Sequence, residues 1–242
     1  MNFNQVTIKD IARELGISPS TVSRALKDHP DISVETKKAV NALADKLNYQ
    51  PNIVALNLRQ KKTNTIGVII PEFVHFFFST VISGIEDVAY QAGYNVIITQ
   101  SNESYEREMT DLKALFNSRV DGMLLSLSRE TKNFDHIESL ISKGMPLVFY
   151  DRMYDSPTSS RVIVDDESGA KEAVQHLIDQ GCKKIAHLMA APNLRISTDR
   201  LKGYETAHEQ SGLKINREWI TECHSGTFEE GKKATKKLLS LP

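Results

Sequence analysis

Residues 7–26, TIKDIARELGISPSTVSRAL, predict two short helices joined by a tight turn. Thr7 can cap the first helix while Asp10, at the third helical position, reaches back to it as in a capping box. Gly16 then ends that helix. Apolar residues recur at helical spacing along both segments: Ile8, Ile11, Ala12, Leu15, Val22 and Leu26. The stretch therefore predicts a helix-turn-helix whose two helices pack through these faces.

The second helix of this pair has the features of a helix that reads DNA. Ser18 can cap it, and Pro19 fits its first position because the missing N–H is not needed there. Four polar residues are left facing outward: Ser20, Thr21, Ser23 and Arg24. Small hydroxyl side chains permit close approach to a major groove, and an arginine can bind guanine bidentately. A polar solvated helix is the alternative, which the agreement of turn, caps and inward-facing residues disfavours.

A third helix and a short linker are predicted next. Ser33 can cap the helix, and its apolar face is predicted to contain Val34, Val40, Leu43, Ala44 and Leu47. Pro51 stops any continuation, and the following residues 52–65 are too few to pack alone. They nevertheless place apolar residues at helical spacing before a basic cluster: Val54, Ala55 and Leu58, then Arg59, Lys61 and Lys62.

Charge is distributed unevenly along the chain. Residues 1–65 contain ten basic and six acidic residues, a formal charge of +4, whereas the whole chain carries −1, so the remainder carries −5. Attraction to the phosphates of a nucleic acid is therefore expected from the N-terminal part only.

From Ile66 onward apolar runs alternate with helical patterns. Buried strands are predicted at residues 66–70, 94–99, 121–127, 146–151, 161–165 and 184–189. Helices are predicted at residues 77–91, 105–117, 134–143, 168–180 and about 198–211. This alternation is typical of a parallel, doubly wound α/β fold, in which ligands bind outside the carboxyl ends of the strands.

The chain resembles the LacI/GalR family of bacterial transcriptional regulators, most closely in VTIKDIARELGISPSTVSRAL and NYQPNIVALNLRQKKTNTIGVIIP. The resemblance implies an N-terminal all-α helix-turn-helix domain at residues 1–50 and a hinge helix with linker at residues 51–64. Residues 65–242 would form an α/β type I periplasmic-binding-protein-like domain for effector binding and dimerisation. Relatives continue for about another hundred residues, so this domain is expected to be C-terminally incomplete.

The resemblance also implies a set of DNA-binding residues: Thr7, Ser18, Pro19, Ser20, Thr21, Ser23, Arg24, Asn52, Ala55, Leu58 and Arg59. In the family, hinge helices from two subunits order on an operator and a leucine pair wedges between bases in the minor groove. Leu58 occupies the leucine position and Ala55 the preceding small-residue position. An ordinary packed linker leucine is the alternative for Leu58, although a linker offers little core to pack into.

Aromatic and polar loop residues match effector contacts of the family. Phe77 and Phe78 match positions where aromatics pack against a ligand ring, although a buried hydrophobic helix start is equally open. Ser128, after the third strand, matches a polar contact or is a turn residue. Many relatives place an aromatic ligand wall near the position of Gly226, so purine-type specificity is not expected.

Asp151 and Arg200 match family positions that hydrogen-bond an effector. A carboxylate and a guanidinium together can hold sugar hydroxyls, a polar ring or an anionic group. Asp151 could instead pair with the adjacent Arg152 or cap a turn, and Arg200 could instead form a salt bridge between two lobes.

The motifs of common enzyme classes are absent, and neither a cofactor nor a metal ion is expected. The two cysteines, Cys182 and Cys223, form no CxxC pair, and the sequence contains neither a signal peptide nor a membrane-spanning run, so a cytoplasmic protein is expected. We predict a homodimeric, sequence-specific regulator, with repression of operator DNA as its expected action and a sugar or sugar derivative as its effector. The alternative is a solute-binding protein whose N-terminal helices are an interaction module, which would have no need of a hydroxyl-and-arginine helix followed by a hinge wedge.

Overall fold

The computed structural model describes residues 6–50, 62–74, 76–155 and 159–241. The chain divides into two compact units, Met1–Thr63 and Asn64–Pro242. Within the described residues, no helix combines the length and the apolar character needed to cross a membrane.

The first unit is a three-helix cluster of α1 (Ile8–Leu15), α2 (Pro19–Ala25) and α3 (Val34–Lys46). Its core contains Ile11, Ala12, Val22, Ala25, Val40, Leu43 and Ala44, with Ile8, Leu15, Leu26 and Leu47 packed at its edge. The predicted apolar faces are thus confirmed except for Val34, which is 67% exposed. Val34 lies nine residues before Leu43, about two and a half helical turns, so the two side chains point to opposite sides of α3.

The second unit begins with a five-stranded parallel sheet in the order β2-β1-β3-β4-β5. The strands are β1 (Thr65–Ile70), β2 (Asn95–Gln100), β3 (Gly122–Leu125), β4 (Leu147–Tyr150) and β5 (Ser160–Val162). The connecting helices are α4 (Phe76–Gln91), α5 (Tyr105–Asn117) and α6 (Asp135–Ser142). We call these elements the first lobe.

The two faces of this sheet have different covers. Leu112 of α5 and Ile137 of α6 pack on one face, against Met123, Leu125 and Phe149 of the strands. On the other face, Phe78 and Ile82 of α4 pack against Val68, Ile70 and Tyr150. Side chains along β3 and β4 therefore alternate between an α5/α6 side and an α4 side.

The second lobe follows β5. It consists of α7 (Asp166–Asp179), β6 (His187–Met189), α8 (Arg195–Gln210), a 3-10 helix (Arg217–Trp219), β7 (Ile220–Glu222) and α9 (Phe228–Leu239). Strands β6 and β7 pair in parallel. Helices α7 and α8 pack so closely that a Cβ atom on Gly203 would lie 2.2 Å from the carbonyl oxygen of Glu167.

The α/β alternation is confirmed, but three of the strands predicted to be buried are shorter or more exposed than the sequence indicated. β6 contains only His187–Met189 of the run 184–189, and its Leu188 is 46% exposed, while no residue of β2 is buried. The run 161–165 was expected to be buried, whereas β5 ends at Val162, and Val162, Ile163 and Val164 are 67%, 44% and 65% exposed. The reason is that β5 is an edge strand, hydrogen-bonded only to β4 within the described sheet. Apolar residues at such an edge have no second neighbour to bury them.

Candidate DNA-binding surface and effector cleft

Hydrogen bonds at the start of α1 fix the entry to the helix-turn-helix. The Thr7 backbone N–H and hydroxyl donate to Asp10 Oδ2 at 3.0 Å and 2.7 Å. Both bonds lower the pKa of the exposed Asp10 carboxyl below its usual range, and the bond from the Thr7 hydroxyl has the larger effect. Gly16 follows the helix with φ of 67°, a left-handed conformation that glycine adopts without steric cost. The capping role predicted for Asp10 and the helix end predicted at Gly16 are confirmed.

Hydroxyl groups cluster at the N-terminus of α2. Ser18 Oγ accepts a hydrogen bond from the Thr21 N–H at 3.1 Å and lies 2.7 Å from Ser20 Oγ and 2.8 Å from Thr21 Oγ1. Ser18, Pro19 and Ser20 are exposed, and Thr21 and Ser23 are half-buried. This end of the helix therefore presents short polar side chains on a rigid backbone.

Arg24 is the long side chain of this surface. It is exposed in the last turn of α2, and within the described residues it forms no ion pair. A guanidinium without an intramolecular carboxylate is available to bind a base edge or a phosphate. The other predicted DNA-binding residues, Asn52, Ala55, Leu58 and Arg59, lie outside the described residues.

The two predicted aromatic effector residues have different surroundings. Phe78 is 3% exposed and packs in the core on the α4 side, as the alternative of a buried helix start requires. Phe77 is 48% exposed, and its ring meets that of Phe78 edge to face with centroids 5.2 Å apart. Phe77 is therefore the aromatic residue of the pair that a ligand could reach.

Ser128 is fully buried in a turn after β3, where the Glu108 carboxylate fixes it. Glu108 accepts hydrogen bonds from the Ser128 N–H at 2.7 Å and from the Thr131 hydroxyl at 3.0 Å, and it lies 3.0 Å from His136 Nε2. The glutamate side chain is itself 0% exposed. The sequence did not single out Glu108, because a glutamate in an amphipathic helix is normally solvated.

Asp151 follows β4 with φ of 58°, and its side chain is 12% exposed. Burial raises the pKa of the Asp151 carboxyl above its usual range, while the nearby Arg152 and Arg200 guanidinium groups oppose the increase. Arg152, the alternative partner that the sequence offered, lies 3.8 Å from the Asp151 carboxylate through its Nε, and it forms shorter, 2.8 Å bonds to both carboxylate oxygens of Glu103. Asp151 is therefore a buried carboxylate whose ion pair with Arg152 is longer than the bonds that Arg152 makes to Glu103.

Arg200, in α8, lies near enough to Asp151 to affect its pKa. Its Nε donates to Asp166 Oδ1 at 2.6 Å, and Asp166 is the first residue of α7, so this ion pair lies within the second lobe rather than between the lobes. The Arg200 side chain remains 50% exposed. It can consequently receive a further hydrogen-bonding partner.

Ser126 is a residue that sequence reasoning missed. It is fully buried directly after β3, and its hydroxyl has no hydrogen-bond partner of normal geometry within the described part of the chain. It also lies close enough to Asp151 to influence that carboxyl's pKa. A polar residue at the carboxyl end of a buried strand was the signal that could have identified it. We call Ser126, Asp151 and Arg200 the effector cluster.

Residues 7–52 match the model of the lacI family of bacterial regulatory proteins, and residues 63–242 match the model of periplasmic binding proteins and the sugar binding domain of the LacI family. The chain belongs to the LacI family. It is 35% identical to catabolite control protein A of Priestia megaterium, over 97% of this chain and 70% of that protein. It is 34% identical to the HTH-type transcriptional repressor PurR of Photobacterium profundum, over 92% of this chain and 66% of that protein.

Solved structures of the LacI family share this fold. The lac repressor dimer bound to operator and the anti-inducer ONPF superimposes with a TM-score of 0.81 at 25% identity, covering 98% of this chain and 70% of that one. The transcription regulator CcpA of Lactococcus lactis gives a TM-score of 0.66 at 26% identity, covering 72% of this chain and 64% of that one. The helix-turn-helix and the periplasmic-binding-protein-like α/β domain predicted from the sequence are thereby confirmed.

LacI-family membership also decides between the two functional classes left open by the sequence. Residues 7–52 match a family of bacterial regulatory proteins, which favours a DNA-binding regulator over a solute-binding protein with an interaction module. Family members are transcriptional regulators rather than enzymes. The chain spans about two thirds of the length of these curated relatives.

Proposed function

We propose that this chain is a sequence-specific repressor that binds operator DNA as a homodimer in the cytoplasm and responds to a small sugar or sugar derivative. The observation that carries the proposal is the polar N-terminal end of α2, in a unit that matches the LacI regulatory family, with Arg24 exposed beside it and in no ion pair with any described residue. A second subunit would place a second α2 in a successive major groove, so a pseudo-palindromic site is expected.

The linker is proposed to complete DNA binding. Asn52, Ala55, Leu58 and Arg59 match the family's hinge positions, and Leu58 would insert between base pairs in the minor groove. Such a wedge costs a few kcal/mol of base unstacking and yields a bent duplex that contacts more protein.

The effector cluster supports ligand binding between the lobes. Ser126 and Asp151 come from the first lobe and Arg200 from the second, so a ligand that contacts all three favours one arrangement of the lobes. A buried carboxylate, a buried hydroxyl and an exposed guanidinium are suited to sugar hydroxyls. The effector would change DNA affinity only through its different affinity for the two arrangements.

The first test is selection of DNA from a random duplex pool, followed by fluorescence anisotropy on the selected duplex and a scrambled one. We expect a pseudo-palindromic duplex that binds at least about 10³-fold more tightly than the scramble. Absence of enrichment would favour the interaction-module alternative.

The effector proposal has a separate test. Sugars are screened for an effect on operator affinity, with Asp151→Asn as the variant and Asp87→Asn, an exposed aspartate on α4, as the matched control. We expect the sugar response to disappear in the first variant only. An unchanged response in Asp151→Asn would contradict the assignment of the effector cluster.

A further inference from the structure

The chain enters the second unit through a sharp turn at Asn64. The first unit ends at Thr63, and Asn64 is the first residue of the second unit. Its φ is 48°, in the left-handed region that asparagine adopts more readily than most residues. Strand β1 begins at the next residue, Thr65. The backbone therefore changes direction directly before the sheet begins.

Hydrogen bonds fix both polar backbone groups of Asn64. Its N–H donates to Asp121 Oδ2 at 2.9 Å, and its carbonyl oxygen accepts the Asn95 N–H at 2.8 Å. The Asp121 N–H in turn donates to the Thr65 carbonyl oxygen at 2.7 Å. Asp121 thus bonds to two consecutive residues, Asn64 and Thr65, through its side chain and its backbone. We call this pair of bonds the linker clamp.

The linker clamp joins segments that are distant in the sequence. Asn64 and Asp121 are 57 positions apart, so their bond does not shape a local turn but ties the start of β1 to the start of β3. Both residues are half-buried, which limits competition from water. A carboxylate is also a stronger acceptor than a neutral oxygen. Asp121 is therefore the side chain that holds Asn64 against the sheet.

Strand β3 connects the linker clamp to the effector cluster. Asp121 directly precedes β3, and Ser126 of the effector cluster directly follows it. The two residues are five positions apart, about 16 Å at about 3.3 Å per residue. At the far end the Ser126 N–H donates to the Ile69 carbonyl oxygen of β1 at 3.1 Å. Because β1 and β3 are tied at both ends, a displacement of β3 at the effector cluster also acts on the linker clamp.

We infer that Asp121 is a positioning residue for operator binding, which acts by fixing the direction in which the linker leaves the second unit. The inference rests on the proposed function, in which the linker inserts Leu58 into DNA. A fixed departure point reduces the conformational entropy that the linker loses when it orders on the operator. Asp121 itself has no role in the attraction to phosphates that all duplexes share. Its loss therefore weakens binding to the operator and leaves binding to random DNA nearly unchanged.

The test compares the selected operator with a scrambled duplex in anisotropy titrations of the whole chain. Asp121→Ala removes the acceptor of the Asn64 N–H, whereas Asp121→Asn keeps a carbonyl oxygen that can accept it. Asp165→Ala is the matched control, because Asp165 also accepts one backbone N–H at 2.9 Å, that of Ser168, but lies at the start of α7. Urea unfolding establishes that each variant is folded, and hydrogen exchange of the Asn64 amide reports on the clamp directly.

We expect Asp121→Ala to bind the operator about fivefold more weakly or worse, with a change of less than about twofold on the scrambled duplex. Asp121→Asn and Asp165→Ala should stay within about twofold of the native chain on both duplexes. The Asn64 amide should exchange faster in Asp121→Ala only. If Asp121→Ala does not fold, Asp121→Ser repeats the test, because the serine hydroxyl is one bond shorter than the carboxylate.

Three results would overturn the inference while leaving the proposed function intact. These are native operator affinity in Asp121→Ala, an equal loss in Asp165→Ala, and equal losses of Asp121→Ala on the operator and the scrambled duplex. An equal operator loss in Asp121→Asn would assign the effect to the charge rather than the hydrogen bond and would also overturn the inference. A native chain that discriminates between no duplexes would instead refute the proposed function, and the inference with it.

Discussion

Ser18 joins a folding role to a predicted DNA-binding role in one hydroxyl group. It accepts the Thr21 N–H and so satisfies a donor that the first turn of α2 cannot pair internally. The same oxygen lies against the hydroxyls of Ser20 and Thr21 and holds the polar end of the helix in one arrangement. The surface proposed to meet DNA is therefore ordered before any DNA arrives.

Ser18→Ala is expected to destabilise the N-terminal unit by about 1 kcal/mol, since the cap is lost. The measurement is urea unfolding followed by circular dichroism. Ser20→Ala is the matched control, because Ser20 caps no backbone N–H among the described residues, and its effect should stay within about 0.5 kcal/mol. Equal losses in the two variants would contradict the capping role.

Arg24→Ala is expected to lose about 1–3 kcal/mol of discrimination between the selected operator and a scrambled duplex, because a bidentate base contact disappears. Lys62→Ala provides the contrast, because the loss of a phosphate contact should weaken binding to both duplexes about equally. Anisotropy titrations on the two duplexes measure both effects. If Arg24→Ala weakened both duplexes equally, Arg24 would be a phosphate contact.

The raised pKa of the buried Asp151 carboxyl predicts a pH-dependent stability. Asp151 is protonated more easily in the folded state than in the unfolded state. Its contribution to the free energy of unfolding is therefore largest below the ordinary pKa of 3.8, and it is lost as pH rises through the raised pKa of the folded state. Asp151→Asn should therefore gain stability relative to the native chain as pH rises from about 4 to 8. Urea unfolding across that range measures the difference.

Asp165→Asn is the opposite-sign control for this experiment. The Ser168 backbone N–H bond, together with the Ser168 side chain, lowers the pKa of the exposed Asp165 carboxyl. Its stabilisation is present above the ordinary pKa and is lost as pH falls, so the asparagine variant should be less stable at neutral pH and equal to the native chain in acid. A constant difference for Asp151→Asn across the range would show that its charge is not the cause.

Caps and helix faces were predictable at the residue scale because they depend on neighbours within about one helical turn. Asp10, Gly16, Ser18 and Ser33 act at the helix ends as the sequence indicated. The burial of Glu108 was not predictable, since its partners Ser128 and His136 lie 20 and 28 residues away. Contacts of that separation are fixed by strand order, which no local pattern contains.

The packing of α7 against α8 likewise depends on residues that are distant in the sequence. Gly203 lies against the backbone of α7, and a methyl group there would also lie 2.8 Å from the backbone nitrogen of Lys171. Backbone atoms cannot rotate away as a side chain can, so the helices must separate to admit it.

Gly203→Ala is accordingly expected to destabilise the chain by about 1–3 kcal/mol or more, through overpacking. Gly84→Ala in α4 is the matched control: nothing lies within 4 Å of its added methyl group, and alanine's better helix propensity should stabilise by about 0.5–1 kcal/mol. Urea unfolding of both variants measures whether each substitution lowers or raises the free energy of unfolding. A stabilising Gly203→Ala would mean that the helices are not in backbone contact.

Elements with strong periodicity were predictable within a few residues, and short ones were not. The helix expected at 105–117 is α5 with the same bounds, because a continuous amphipathic pattern defines it. Strand β7 has only three residues, Ile220–Glu222, and exists because β6 lies beside it. Its sequence carries too few alternations to indicate a strand.

For the whole molecule, the opposite net charges of the N-terminal region and the remainder predict different responses to salt. Operator affinity should fall linearly on a log–log plot with salt, with a slope of about −0.9 per phosphate neutralised. Binding of a neutral sugar should stay nearly constant over the same range. Anisotropy measures the operator affinity and calorimetry the sugar affinity across a salt series. An operator affinity that does not change with salt would contradict phosphate binding by the basic N-terminal region.

Glu103 ties together the segments that follow three strands of the first lobe. It follows β2 itself, it accepts the Arg129 N–H after β3 at 2.7 Å, and it bonds to Arg152 after β4. The loops that follow β2, β3 and β4 are therefore expected to evolve together, because a substitution that changes the shape of one loop also disturbs the other two.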